Sequence, residues 1–127
     1  MNTMKKQKFV YEAKVLDIHD GDTISIEIDL GFQMRFTDKV RFYGINAPEL
    51  KIRNEKNKMT ENQLGIKTLN TVKEFIKIGD VITIETIKDK KEKYGRYLAN
   101  VYVLLDDRQI CLNDYLLNNG LAVPMKY

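Results

Sequence analysis

Arg41 and Glu49 stand near the two ends of Val40–Glu49, VRFYGINAPE, an apolar run that stops at Pro48 with the glutamate just beyond. Proline has no N–H to give a sheet ladder, so strand pairing should end there. A strand that ends this way can hold an arginine and a carboxylate at one mouth of a fold. A guanidinium offers paired, planar donors that match phosphoryl oxygens, and a carboxylate can take a proton from water. Three other stretches read as partners: Asp20-Gly21-Asp22-Thr23, Tyr94-Gly95-Arg96, and the basic run from Lys51 to Lys58. Together they suit a place where a cation and arginines converge on a phosphate.

Asp22 carries the most local information. In the segment from Asp22 onward, Ile24, Ile26 and Ile28 alternate with Thr23, Ser25 and Glu27, which is the period of a half-buried strand. Asp22 falls on the isoleucine side, where a carboxylate is costly unless a cation or hydrogen-bond donors satisfy it. A second reading, in which Asp22 only caps the turn, stays open on local sequence alone. Asp20, outside that row, has no comparable claim. Leu50 to Met59 reads as a loop, and its Lys51, Arg53, Lys56 and Lys58 against Glu55 read either as a solvated charge run or as a flexible clamp for a phosphate backbone.

These residues need a frame. Phe9 to Ile18 is rich in β-branched and aromatic residues and reads as a first strand, with Asp20-Gly21 as the hairpin turn into the second. Met34 to Ile45 reads as a third strand, bent near Thr37-Asp38, with Arg41, Tyr43 and Ile45 on one face. Thr60 with Gln63 forms a capping box that predicts a helix starting at Thr60, with Leu69, Val72, Phe75 and Ile76 as its core side and Gly79 as its stop. Val81 to Ile87 and Tyr97 to Leu105 are the fourth and fifth strands, separated by a charged loop from Lys88 to Lys93. A turn at Asp106-Asp107 leads to a short helix over Leu112 to Asn118. Three meander strands, a helix and two more strands give a β-rich α+β fold, a five-stranded OB-fold barrel with a helix after strand 3 and a short C-terminal helix.

At 127 residues the chain is one domain, large enough to bury a core without staples. No apolar run approaches the ~20 residues that a spanning helix needs, so no membrane partner is expected. The start, MNTMKKQKFVYEAK, is basic but lacks an apolar segment after it, so it does not read as a signal peptide. The expectation is a cytoplasmic protein. One cysteine, Cys111, excludes an intrachain disulfide and a zinc site, and it reads as an inert thiol within the last helix. The net charge of +3 would not by itself indicate nucleic acid; the clustering of Lys and Arg sets the field that a phosphate backbone meets. The lone His19 and the tempting cation Arg35 are given no role.

DGDT at 20–23, VRFYGINAPE at 40–49, KYGR at 93–96 and the tail LND…NGLA from Leu112 to Ala122 follow one another as in the staphylococcal (micrococcal, thermonuclease-like) nuclease family, which this chain closely resembles over about residues 9–122. The resemblance implies calcium as cofactor and DNA and/or RNA as partner. By position, Asp22, Asn46 and Ala47 match metal-site residues, the last through its backbone carbonyl. Arg41 and Arg96 match phosphate-binding arginines, Glu49 the general base, and Lys93 and Tyr94 residues near the nucleotide phosphate. Lys51, Lys56 and Lys58 would add contacts to the nucleic-acid backbone. The implied reaction is phosphodiester hydrolysis with the 5′-oxygen leaving, and the alternative is a noncatalytic nucleic-acid-binding module of the same fold. The main departure is Asn46, where the family's enzymes commonly carry an aspartate, which predicts a weaker metal site. The family's enzymes also continue past the GLA segment into another helix, whereas Val123 to Tyr127 follow it here; lower stability or self-association is the expectation.

Overall fold

The computed structural model describes residues 9–91 and 95–127, with the backbone alone for 88–91. The proposed phosphate-site residues Lys93 and Tyr94 lie outside the described residues. The strands β1 (Val10–Asp20), β2 (Thr23–Asp29) and β3 (Arg35–Phe42) form the expected meander. Then come the short strands β4 (Ile45–Asn46), β5 (Lys51–Arg53) and β6 (Met59–Glu61), and the helix α1 (Gln63–Phe75). The long strands β7 (Val81–Lys91) and β8 (Tyr97–Leu105), then β9 (Arg108–Cys111), α2 (Leu112–Asn118) and β10 (Val123–Pro124), complete the chain.

β7 pairs antiparallel with β1 and β8 antiparallel with β7. Parallel pairing of β8 with β3, Val40 opposite Tyr97 and Phe42 opposite Ala99, closes a five-stranded mixed barrel, the OB-type architecture that the element order predicts. Closure removes the open sheet edges that a five-stranded sheet would otherwise expose.

The alternation in β2 does what its period dictates: Ile24, Ile26 and Ile28 are buried, while Ser25 and Glu27 are half-buried on the other side. Val15, Val40, Phe42, Ile84 and Val101 join them, and Val72 and Ile76 from the α1 region and Leu112 and Leu116 from α2 belong to the same core cluster. Each such side chain contributes about 1.5–3 kcal/mol on leaving water. Asn113 ties α2 to the barrel. Its Oδ1 accepts the Val101 N–H at 2.9 Å, and its Nδ2 donates to the Tyr43 and Ala99 carbonyls at 2.8 and 3.1 Å.

Several expectations are corrected. The third strand ends at Phe42, because the chain turns through Tyr43-Gly44 with Gly44 at φ +79°, so Ile45 starts a separate strand and is buried. The basic segment after Leu50 is not a loop. β5 and β6 pair as a hairpin, Lys51 opposite Glu61 and Arg53 opposite Met59. Thr60 therefore belongs to a strand, its hydroxyl donates to the Ile52 carbonyl at 3.3 Å, and α1 starts at Gln63 with Asn62 at the N-cap position. β9 continues β8 across the Asp106-Asp107 turn, and Cys111 ends that strand instead of lying within α2. Burial raises the Cys111 thiol above its ordinary range.

Candidate functional site

Asp22 is the second residue of the Gly21-Asp22 turn between β1 and β2 and is 5% exposed. Its carboxylate is satisfied by donors from three places. Oδ1 accepts the Thr23 hydroxyl at 3.1 Å, Oδ2 accepts the Ala47 N–H at 2.9 Å, and Arg41 Nη2 lies 3.3 Å from the same Oδ2. Burial, then the hydrogen-bonded neighbour Asp20, raise its pKa above the ordinary aspartate value, while the Ala47 N–H and the Arg41 charge pull the other way. The Asp20 carboxylate caps the turn, accepting the Asp22 N–H at 3.1 Å through Oδ1. Capping thus belongs to Asp20, and Asp22 is left for the site.

Arg41 sits in β3 opposite Thr23, with its side chain 12% exposed. Nη2 donates to the Asn46 side-chain oxygen at 2.8 Å and to the Ile45 carbonyl at 3.3 Å. Every one of these contacts uses Nη2; Nε is buried and has no hydrogen-bond partner among the described residues. Asn46 is held in turn by β4, which pairs with β10, Asn46 opposite Val123. The C-terminal segment braces the same corner: the Tyr127 ring stacks on Tyr43 at 5.4 Å, and its hydroxyl accepts the Gly44 N–H at 3.0 Å.

Glu49 is exposed, one residue past Pro48. Its position is fixed through its backbone. The Glu49 carbonyl accepts Asn62 Nδ2 at 2.8 Å, and α1 lies so close that a Cβ on Gly65 would meet that carbonyl oxygen at 2.2 Å. Gly21 shows the same device at the β1–β2 turn, where a Cβ would lie 2.6 Å from Thr68 Cγ2 and 3.0 Å from the Ala47 Cβ. Both glycines are there for close approach of α1, at the Asp22 turn and at the Glu49 backbone. Asp20, Thr23, Asn62 and Gly65 were not among the expected site residues. A lone glycine inside a helical pattern is the signal that points to Gly65.

Asp22, Arg41, Asn46 and Ala47 thus meet at one corner, with Glu49 next in the chain. Arg96 is half-buried just ahead of β8, whose Leu98 is the partner of Arg41. Lys51, Lys56 and Lys58 stand on the β5–β6 hairpin beyond Glu49. Arg35 pairs with Glu27 at 3.2 Å on the exposed β2–β3 hairpin, which leaves it out of this corner.

The donors suit a hard cation in kind: Asp22 and Asp20 supply carboxylates, Asn46 an amide oxygen, and each such oxygen has a second lone pair beyond the bonds described. A carboxylate pushed toward protonation by burial and by a neighbouring carboxylate is one that a cation would stabilise. In charge the set is poor. Among the described residues no group of three or more His, Cys, Asp and Glu side chains is arranged to hold a metal ion.

The family profile described as staphylococcal nuclease homologue matches residues 39–127, a span that includes Arg41, Asn46, Glu49 and Arg96. Endonuclease YhcR of Bacillus subtilis (strain 168) is 36% identical over 115 residues, covering 88% of this chain and 9% of that protein. The uncharacterized protein MJ1439 of Methanocaldococcus jannaschii is 29% identical over 125 residues, covering 88% of this chain and 58% of that protein. The chain therefore spans less than two thirds of the length of either relative. With the barrel, the order of its motifs and the profile match in agreement, the chain belongs to the family of staphylococcal nuclease homologues.

Proposed function

We propose that this chain is a nuclease that hydrolyses phosphodiester bonds of DNA and/or RNA with little sequence specificity, releasing the 5′-oxygen and leaving 3′-phosphate ends. The observation that carries the reading is Arg41. Its guanidinium is desolvated and anchored through Nη2 alone, with a buried Nε that has no partner among the described residues. A buried donor without an acceptor costs about 1–3 kcal/mol, and a phosphoryl group next to this guanidinium would supply acceptors that the protein withholds.

In the reaction, a water oxygen adds to phosphorus, its proton passes to the Glu49 carboxylate, and the P–O5′ bond breaks. The departing 5′-oxygen takes a proton from solvent. Arg41, and Arg96 from just ahead of β8, stabilise the charge that gathers on the phosphoryl oxygens at the transition state. Asp22 holds Arg41 in place through Oδ2, and the Asn62–Glu49 and Gly65–Glu49 contacts hold the base's backbone. Calcium, as the fitting hard cation, would be held by Asp22, Asn46 and the Ala47 carbonyl with Asp20 nearby, and when bound it would supply Lewis-acid polarisation of the phosphate. Contacts that go to phosphate carry no base information, hence the slight specificity.

One observation favours a second reading, a noncatalytic nucleic-acid-binding module: Asn46 brings no charge, and its oxygen already accepts from Arg41 at 2.8 Å. The two readings part on product chemistry. Incubation of a 5′-labelled oligonucleotide with calcium should yield fragments that a 3′-phosphatase shortens in charge and that a kinase can label at their new 5′-hydroxyls. An oligonucleotide that is bound but recovered whole would establish the binding module instead.

A further inference from the structure

The β5–β6 hairpin is more than a basic segment that has acquired pairing. It is a two-stranded ribbon in which every residue from Lys51 to Glu61 is exposed, including the apolar Ile52 and Met59. The ribbon is ordered by its own bonds. The Asn54 N–H donates to the Lys58 carbonyl at 2.8 Å, the Asn54 side-chain oxygen accepts the Lys56 and Lys58 N–H groups at 2.9 and 3.0 Å, and Arg53 Nη1 donates to the Asn57 carbonyl at 3.0 Å. Its base is pinned beside the proposed catalytic carboxylate: Asn62 donates through its backbone to the Leu50 carbonyl and through its side chain to the Glu49 carbonyl, both at 2.8 Å. From Lys51 to the tip at Glu55 it reaches roughly 13 Å at strand rise.

The register divides the cations between the two faces. Lys51 and Glu61 are opposite one another, as are Arg53 and Met59, so Lys51 and Arg53 share a face. Lys58, whose carbonyl accepts the Asn54 N–H, directly precedes Met59, so alternation assigns it to the other face, with Lys56 at the tip. Four cations stand against Glu55 and Glu61. A single strand passing along the ribbon would meet one face and leave the other unused. Phosphates on both sides are what the walls of a duplex groove provide.

Thickness decides which groove. A ribbon with side chains on both faces occupies about 10 Å, the spacing at which sheets pack face to face. The major groove of B-form DNA is about 12 Å wide and admits a two-stranded ribbon, whereas the minor groove, at about 6 Å, does not. The major groove of an RNA duplex is too deep and narrow for side chains to read. We infer that the β5–β6 ribbon is an arm that enters the major groove of B-form DNA, with cations on each face meeting phosphates on each wall. The inference rests on the nuclease reading for its partner and adds the form of nucleic acid that the arm accepts.

The test is binding of the full chain, in chelator so that nothing is cut, to a 20-base-pair DNA duplex, one of its strands, and the RNA duplex of the same sequence, each over a salt series. Arg53→Gln and Lys58→Gln, both at exposed positions on opposite faces, are measured beside the unaltered protein. The arm predicts that duplex DNA binds at least 10-fold tighter than duplex RNA, and that each variant alone lowers the slope of log K against log salt on duplex DNA by about 0.9, the loss of one phosphate contact. Duplex RNA bound as tightly as duplex DNA, or either variant leaving the duplex DNA slope unchanged, would overturn it. Calcium-dependent cleavage of the single strand by the same preparation reports on the nuclease reading separately, so the arm can fail while the nuclease stands.

Discussion

Arg41 Nη2 donates to the side-chain oxygen of Asn46 at 2.8 Å, and the same nitrogen lies 3.3 Å from Asp22 Oδ2. One guanidinium thus bridges the buried carboxylate and the amide that stands where an aspartate is common in the family. The arrangement joins the proposed phosphate-binding group and the proposed cation ligands in one network, so a change in either should be felt by both.

Asn46→Asp should tighten calcium binding. A unit charge pair at 4 Å is worth ~4 kcal/mol at an effective dielectric of 20, and Arg41 will offset much of it. The expected outcome is an affinity gain on the order of 10-fold, or ~1.4 kcal/mol, read by calorimetric titration with calcium. An unchanged affinity would place the cation away from residue 46.

Asp22→Asn should stabilise the protein at neutral pH. Burial and the Asp20 neighbour raise the Asp22 pKa in the folded state, so the native protein holds this proton more tightly than the unfolded chain does. Its contribution to stability is full below the unfolded value and is lost as pH rises through the folded one. The variant, which cannot ionise, should therefore melt higher than the parent at pH 7, with the difference shrinking toward zero as pH falls below about 4. Thermal melts of both proteins from pH 3 to 8 check the sign.

Gly65→Ala should damage stability and the site together. The added Cβ would meet the Glu49 carbonyl oxygen at 2.2 Å and the Pro48 carbonyl oxygen at 3.0 Å, both backbone atoms that cannot swing away. Overpacking of this kind costs about 1–3 kcal/mol, and the shift falls on the residue that carries the proposed base. Urea denaturation should show the loss, and cleavage under conditions where the variant is folded should be slower. Alanine at the exposed Asn70 of the same helix is the control and should leave both unchanged.

Asn113→Ala should be among the most destabilising substitutions in the chain. It strands the Val101 N–H and the Tyr43 carbonyl, and takes one of two donors from the Ala99 carbonyl, which keeps the Tyr43 N–H at 2.8 Å. At about 1–3 kcal/mol for each unsatisfied buried group, relieved wherever water enters, a loss of ~3 kcal/mol or more is expected in urea denaturation.

The long, periodic parts of the fold were legible because periodicity reports burial directly. The isoleucine row of β2, the strand Tyr97–Leu105 and the helix Leu112–Asn118 lie where their patterns put them. The short pieces were not. Leu50–Met59 reads as a loop because neither strand of the ribbon buries anything, so its pairing leaves no hydrophobic pattern. The Thr60–Gln63 capping box misled for the same reason, since Thr60 was already committed to the ribbon. At the site, Asp22 was readable as a polar residue in an apolar row, whereas the Arg41–Asn46 bond joins residues across the Tyr43-Gly44 turn, and alternation placed Arg41 and Ile45 on one continuous strand that does not exist.

The most direct test of the proposed chemistry is cleavage of single-stranded DNA across a calcium titration into the millimolar range, with Glu49→Ala run beside the unaltered chain. The account predicts cleavage that rises with calcium and falls by about 10²-fold or more in the variant, the usual worth of a positioned general base. Intact DNA at every calcium concentration from a folded protein that binds it, or cleavage indifferent to Glu49→Ala, would contradict it.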